Sequence, residues 1–404
     1  IIFPNHKTVL KKHAELVQQE KDFLFADLEA MEISLYQKGE LVKSFPIKAK
    51  GTEGSFFETP SGLYKIRSKE QNHFSSIGKV WMPWSMHFFG NYFVHGWPYY
   101  PDGTPVSETF SGGCIRLGEE DSKELFTLSN REMAILVYSP ASSDTVASSY
   151  FQKVASRRES FKAPPVAQVS AESFLAADFE TGQILFEKDK NVSHPTASVT
   201  KLMTGLVALE TINRFKILTV SQAALDTFGD SGGFLAGEEF KSEDFLYPLI
   251  LASSNDAAAV YENQVGGFVD IMNQKAKAIG MEHTRYKDAS GLSPENVSTA
   301  EDTFKLLQFT STHKKPLFAI SRLREYTLQS SNGLKKHTWK NVSWPPDDEK
   351  FLGGKSGSTP EALQTMAGVY KVKMSESEER PVAIILFGSR DRVGDVNAVS
   401  RYLE

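Results

Sequence analysis

The chain of 404 residues is interrupted near its middle by a stretch with no periodicity. Between Ser139 and Ser170, small and polar residues dominate, opening with Ser-Pro-Ala-Ser-Ser-Asp and closing with Ala-Pro-Pro-Val. Such a segment cannot bury a face of its own and reads as an interdomain connection, here residues 141–170, with local helix at Val146–Glu159 and a solvated basic pair, Arg157-Arg158. A chain of this length exceeds what one hydrophobic core ordinarily serves, so the break predicts two domains of different character.

Residues 1–27 read as an amphipathic, poorly capped helix, with Leu10, Val17 and Leu24 among Lys, Glu and Gln. From Met31 the apolar period becomes two. Ile33 and Leu35, then Leu41, Val42, Phe45 and Ile47, flank the turn Lys38-Gly39-Glu40, which predicts a hairpin. Strand patterns recur at Leu63–Ile66, Phe88–Val94 and Met133–Tyr138, with one helix at Glu119–Leu128, so residues 28–140 are expected to form a mostly-β domain.

The only cysteine, Cys114, lies in Phe110-Ser111-Gly-Gly113-Cys114-Ile-Arg116. A single cysteine excludes an intrachain disulfide and a four-cysteine zinc site. It is either an inert buried side chain or a reactive thiol. Two preceding glycines allow close backbone approach, the N–H groups of Gly113 and Cys114 can form an oxyanion hole, and a thiolate at neutral pH needs a base. His95, at the end of a predicted strand, is the candidate. The hairpin, Thr59-Pro-Ser-Gly-Leu-Tyr-Lys-Ile66, His95-Gly and Ser111-Gly-Gly-Cys-Ile-Arg116 together resemble an L,D-transpeptidase catalytic domain. The resemblance implies Cys114 as nucleophile, His95 as base, Ser111 and Gly113 beside the substrate, and Arg116 orienting substrate or holding the loop. The substrate would be a peptidoglycan tetrapeptide stem. Gly112 stands where the family commonly has a second histidine. Trp97, Tyr99 and Tyr100 are either groove residues or packing under a loop.

The second half mixes strands and helices. Strands are expected on either side of Glu180-Thr-Gly182, and helices at Glu243–Leu251, Phe268–Ala278 and Thr299–Phe309. Ser198-Val-Thr-Lys201 opens an apolar helical run. At a spacing of three the two side chains share a face, and a buried lysine loses its charge and can take the serine proton. The pattern alone is cheap, since Ser76–Lys79 and Ser311–Lys314 repeat it. Downstream lie Ser253-Ser-Asn255, able to relay a proton and bond a substrate amide, and Lys355-Ser356-Gly357-Ser358 on a predicted strand edge, able to hold a carboxylate. Ser-x-x-Lys, Ser-x-Asn and Lys-Ser/Thr-Gly in this order form the penicillin-recognising serine set. Phe174 onward is similar to the low-molecular-mass D-alanyl-D-alanine carboxypeptidases, through Ile279-Gly-Met-Glu-His-Thr284, Ala289-Ser-Gly-Leu292 and Ser298-Thr-Ala-Glu-Asp302 as well.

That resemblance implies an α/β domain over 171–404, an antiparallel sheet flanked by helices. Ser198 would be the acyl-enzyme nucleophile and Lys201 its base. Ser253 and Asn255 would be the second cluster, and Lys355, Ser356 and Gly357 the substrate-facing strand. The N–H groups of Ser198 and Ser358 would make the oxyanion hole, with Arg390 or Arg392 as carboxylate ligand. No Glu-x-x-Leu-Asn segment lies between Asn255 and Lys355, which disfavours a β-lactamase.

The expected partners are peptidoglycan stem peptides, with β-lactams as acylating inhibitors: penicillins at Ser198 and carbapenems at Cys114. No cofactor or metal is expected. A net charge of −5 argues against nucleic acid, and no apolar run is long enough to span a bilayer. Numbering from Ile1 suggests a longer chain from which a signal or anchor was removed, and the implied peptidoglycan substrate predicts an extracytoplasmic location.

Overall fold

The structure is a computed structural model that describes residues 4–107, 111–140, 169–229, 232–345, 348–375 and 378–403. The connecting segment and its expected helix at 146–159 lie outside the described residues. Helix α1 (Pro4–Gln18) is shorter than the helix expected over 1–27. Phe23–Asp27 instead forms strand β1, with Phe23 and Leu24 wholly buried. The aromatic pair Phe23 and Phe25 fits a pleated surface better than a helix, and Leu24 extended the helical pattern only by coincidence of spacing.

The first domain is built on one mixed sheet. It contains β1, β2 (Glu32–Gln37), β3 (Glu40–Ala49), β4 (Gly62–Lys65), β5 (Ser68–Ser75), β6 (Val80–Phe89), β7 (Tyr92–His95), β8 (Ile115–Leu117) and β9 (Ala134–Tyr138), in the order β4-β9-β1-β2-β3-β8-β7-β6-β5. The predicted hairpin is β2–β3, with Gly39 at φ +76° in its turn. Pairing is antiparallel except for β1–β9 and β7–β8. Helix α2 (Glu119–Leu128) presents Leu125 to a core containing Ile33, Phe45, Phe88 and Ile115.

The second domain has a five-stranded antiparallel sheet. Strands β10 (Ser173–Asp178), β11 (Ile184–Lys188), β12 (Phe351–Thr359), β13 (Leu363–Ser375) and β14 (Glu378–Ser389) run in the order β11-β10-β14-β13-β12. One face carries Leu175, Ala367, Val369 and Ile385 into a helical layer: α3 (Lys201–Thr211), α4 (Asn255–Gln264), α5 (Phe268–Ala278) and α6 (Ala300–His313). The other face, with Phe174, Met366 and Leu386, is covered by α7 (Arg392–Leu403). The helix expected at Glu243–Leu251 is a 3₁₀ turn, Ser242–Phe245, followed by a short α-helix, Leu246–Ile250.

The two halves meet through buried polar groups. Lys275 Nζ is 2.9 Å from Glu210 Oε1 and 3.0 Å from Tyr64 Oη. Lys314 Nζ reaches the Glu58 carbonyl at 2.8 Å and Tyr92 Oη at 3.4 Å. His313 Nδ1 bonds the Glu58 carboxylate at 2.5 Å. Burial lowers the pKa of Lys275 to about 8, with Glu210 opposing the fall. The C-terminal end of α3 also touches the first domain: the Asn91 N–H donates to the Glu210 carbonyl at 3.2 Å.

Candidate active sites

Ser198 lies in a 3₁₀ turn, Ala197–Thr200, that runs straight into α3. In a 3₁₀ turn, residues three apart eclipse one another, which sets Lys201 over Ser198. Their Nζ–Oγ distance is 2.9 Å. Ala197 adopts φ +45°, and a Cβ at Gly291 would stand 2.0 Å from its carbonyl oxygen, so Gly291 is what lets the loop press against this turn. Lys201 is fully buried. Burial lowers its pKa to about 7, with Asp288 and Asp256 opposing the fall.

Two further neighbours of Nζ are acceptors: Asn255 Oδ1 at 2.7 Å and the Ser290 carbonyl at 2.5 Å. A neutral amine has two hydrogens for these, which leaves its lone pair for the Ser198 hydroxyl. Asn255 is held the right way round because its Nδ2 donates to the Phe228 carbonyl at 2.7 Å. Ser254 caps α4 through a bond from the Ala257 N–H. Ser253 beside it takes φ +59°, a conformation costly for a side chain bearing Cβ.

Strand β12 closes the other side. A Cβ on Gly357 would lie 2.6 Å from the Ser198 nitrogen and 2.9 Å from Ala197 Cβ, so only glycine lets the strand approach the backbone donor. Gly357→Ala is therefore expected to displace the turn and cut the rate of Ser198 acylation by about 10²-fold, read by mass after timed exposure to penicillin. Lys355 is fully buried and donates to the Ser356 carbonyl at 2.7 Å. Burial first, then the nearby Lys201 and Arg392, hold its pKa well below the usual lysine range. Ser356 is buried and Ser358 exposed. Of the two candidate arginines, Arg392 is the one close enough to act on Lys355, and Arg390 is exposed. The Ser290 carbonyl was missed by the sequence reading. A backbone acceptor carries no residue-type signature, although Ala289-Ser-Gly-Leu292 had marked its loop.

The second site lies where β7 and β8 run parallel. His95 ends β7 opposite Arg116, and Cys114 immediately precedes β8. His95 is buried, and its Nδ1 lies 2.6 Å from the Gly96 carbonyl. A carbonyl only accepts, so Nδ1 carries the proton and Nε2 keeps a lone pair. Burial lowers its pKa to about 3. The Cys114 thiol donates to the Asn91 carbonyl at 3.7 Å, and burial pushes its pKa up to about 11. Burial thus holds Cys114 as the thiol and His95 as the neutral imidazole.

Two expectations around Cys114 change. The Gly113 N–H donates to Ser111 Oγ at 3.2 Å and is not offered to an oxyanion. Ser111 is wholly buried, bonds the Cys114 carbonyl at 2.5 Å and staples the loop instead of facing substrate. Arg116 lies over the Trp97 ring at 5.6 Å. The common cause is chain tightness: a Cβ on Gly113 would stand 2.2 Å from the Tyr92 ring, so the turn buries its own polar groups. Trp97 donates to the Val106 carbonyl and Tyr99 pairs with Trp81, both as packing groups.

Among the described residues, no cluster of His, Cys, Asp or Glu could hold a metal ion, and no helix is long and apolar enough to cross a membrane.

Comparison with known proteins matches both halves. Residues 158–388 fit the D-alanyl-D-alanine carboxypeptidase family, and residues 21–137 fit the L,D-transpeptidase catalytic domain. A D-alanyl-D-alanine endopeptidase of Pseudomonas aeruginosa is 31% identical over 255 residues, 59% of this chain and 78% of that protein. A D-alanyl-D-alanine carboxypeptidase of Mycobacterium tuberculosis is 28% identical, over 50% of this chain and 72% of its own. The crystal structure of a penicillin-binding protein homologue from Mycobacterium tuberculosis superposes with a TM-score of 0.52 at 25% identity, covering 58% of this chain and 91% of that one. With the serine, lysine and glycine elements assembled as described, the chain belongs to the D-alanyl-D-alanine carboxypeptidase family and carries an L,D-transpeptidase catalytic domain in the same polypeptide.

Proposed function

We propose that the protein remodels peptidoglycan at two acyl-transfer sites, trimming pentapeptide stems at Ser198 and forming 3-3 cross-links from tetrapeptide donors at Cys114. The observation that carries the first half is the 2.9 Å contact between Ser198 Oγ and a buried Lys201 amine whose other neighbours are both acceptors. Ser198 Oγ attacks the carbonyl of the penultimate D-alanine and passes its proton to Lys201 Nζ. The C–N bond breaks, terminal D-alanine leaves with a proton returned from the lysine, and water cleaves the resulting ester. The N–H groups of Ser198 and Ser358 receive the developing oxyanion. Lys355 and Arg392 draw the substrate carboxylate towards β12, with Ser356 and Gly357 alongside it and Ser253 relaying a proton.

At Cys114 the thiol proton passes to His95 Nε2 as sulfur attacks the carbonyl before the terminal D-alanine. D-Alanine departs with that proton, and an amine of a second stem displaces the thioester. The serine product is thus the cysteine donor. Both substrates lie outside the cytoplasmic membrane, where this reading places the protein, and penicillins at Ser198 and carbapenems at Cys114 would be dead-end acyl donors.

The test is disaccharide-pentapeptide digestion read by mass spectrometry. Wild type is expected to give tetrapeptide, then cross-linked dimer. Ser198→Ala should lose the first product, and Cys114→Ala only the second. A pentapeptide left intact by wild type would overturn carboxypeptidase action. The alternative, D,D-endopeptidase action at Ser198, is favoured by the Pseudomonas aeruginosa relative named for that activity, and cleavage of a cross-linked muropeptide would select it.

A further inference from the structure

A small cleft of about 70 Å³ opens at the junction of the two domains. Phe56, Asn91 and Gly112 wall it from the first domain, and Ile212, Asn213 and Arg214 from the second. It reaches Cys114 through two of its lining residues: Gly112 stands two residues before the cysteine, and the Asn91 carbonyl is the acceptor of its thiol. Part of the wall near the cysteine is therefore built by the end of α3 and the segment that follows it.

Arg214 is the cationic group of that segment. Its guanidinium lies 3.9 Å from the centre of the Phe56 ring and 5.6 Å from that of Phe57, which hold its plane against the first domain. One terminal nitrogen pairs with Glu243. The buried Nε has no hydrogen-bond partner. A guanidinium offers five donors in a fixed fork, and a single carboxylate beside it leaves capacity for a second. The chemistry suits a chain end bearing a carboxylate. A tetrapeptide donor at Cys114 carries such a group one residue beyond the bond to be broken.

We propose that the cysteine site is a composite of both domains, with Arg214 of the serine domain binding the terminal carboxylate of the tetrapeptide donor. This rests on the assignment of Cys114 as an acyl-transfer nucleophile. It makes the serine domain part of the specificity of the other reaction and predicts that a donor whose terminal carboxylate is amidated is recognised poorly.

The full-length protein can test this through protection of Cys114 against a maleimide, read by intact mass over a titration of stem tetrapeptide. Two peptides are compared, one ending in D-alanine and one in its C-terminal amide. Arg214→Gln is expected to raise the half-protecting concentration of the acid peptide about tenfold, equivalent to roughly 1.4 kcal/mol, and to leave that of the amide unchanged. Glu243→Gln frees the guanidinium and should lower the half-protecting concentration of the acid peptide, whereas a merely structural ion pair would raise it. Equal protection of wild type and Arg214→Gln by the acid peptide, or no protection of wild-type Cys114 at all, overturns the composite site. Protection that follows Arg214 without any cross-linked product leaves the cleft standing and removes the transpeptidase assignment instead.

Discussion

Lys201→Met is expected to slow acylation of Ser198 by about 10²- to 10⁴-fold, the range that a positioned general base contributes. Methionine keeps the unbranched length and apolar stem of the lysine, so the fully buried position stays filled. What disappears is the lone pair 2.9 Å from the hydroxyl. The check is the rate of covalent penicillin adduct formation, followed by intact mass. A pH dependence accompanies it. Burial lowers the Lys201 pKa to about 7, so the amine is a neutral base above that pH and a useless ammonium below it. Wild-type acylation should therefore climb with a midpoint near pH 7 and level off above it. A profile flat from pH 5.5 to 8.5 would move the base role to another group.

Glu210→Leu is expected to destabilise the protein by about 3–5 kcal/mol, because it strands a buried ammonium. Both Glu210 and Lys275 side chains are wholly shielded from solvent, 2.9 Å apart. The double variant Glu210→Leu/Lys275→Met removes both charges and should recover most of that loss. Urea denaturation of wild type, both single variants and the double variant gives the coupling directly. Losses that simply add would show that the pair contributes through packing alone.

Local pattern revealed much of this molecule. The β2–β3 hairpin came from period two and one turn glycine, and the Phe268–Ala278 helix from its spacing. The serine centre was legible because its chemistry needs side chains of fixed type, and Ser198, Lys201 and Asn255 do converge. Strand β1 was misread because apolar spacing over a few residues fits both periods, and one of its two neighbours, β9, comes from the far end of the domain. The resting thiol at Cys114 was invisible for another reason. Its raised pKa comes from burial, a property of the whole assembly that no motif records. Arg214 carried no signal either, since two of its three aromatic neighbours, Phe56 and Phe57, belong to the other domain.

The buried joint between the halves bears on how such a fusion can be inherited. Glu58, in the first domain, spends its carboxylate on His313 and its carbonyl on Lys314, and Tyr64 receives Lys275, all from the second. A free-standing homologue grafted in place of either half would have to bring matching cations or hydroxyls, or bury charges that face nothing. Recombination that respects the two sequence boundaries but not this joint would yield a poorly folding hybrid. The pairing of these two catalytic domains is thereby shielded from later shuffling: once His313, Lys314 and Lys275 had met their partners, the halves could diverge only together.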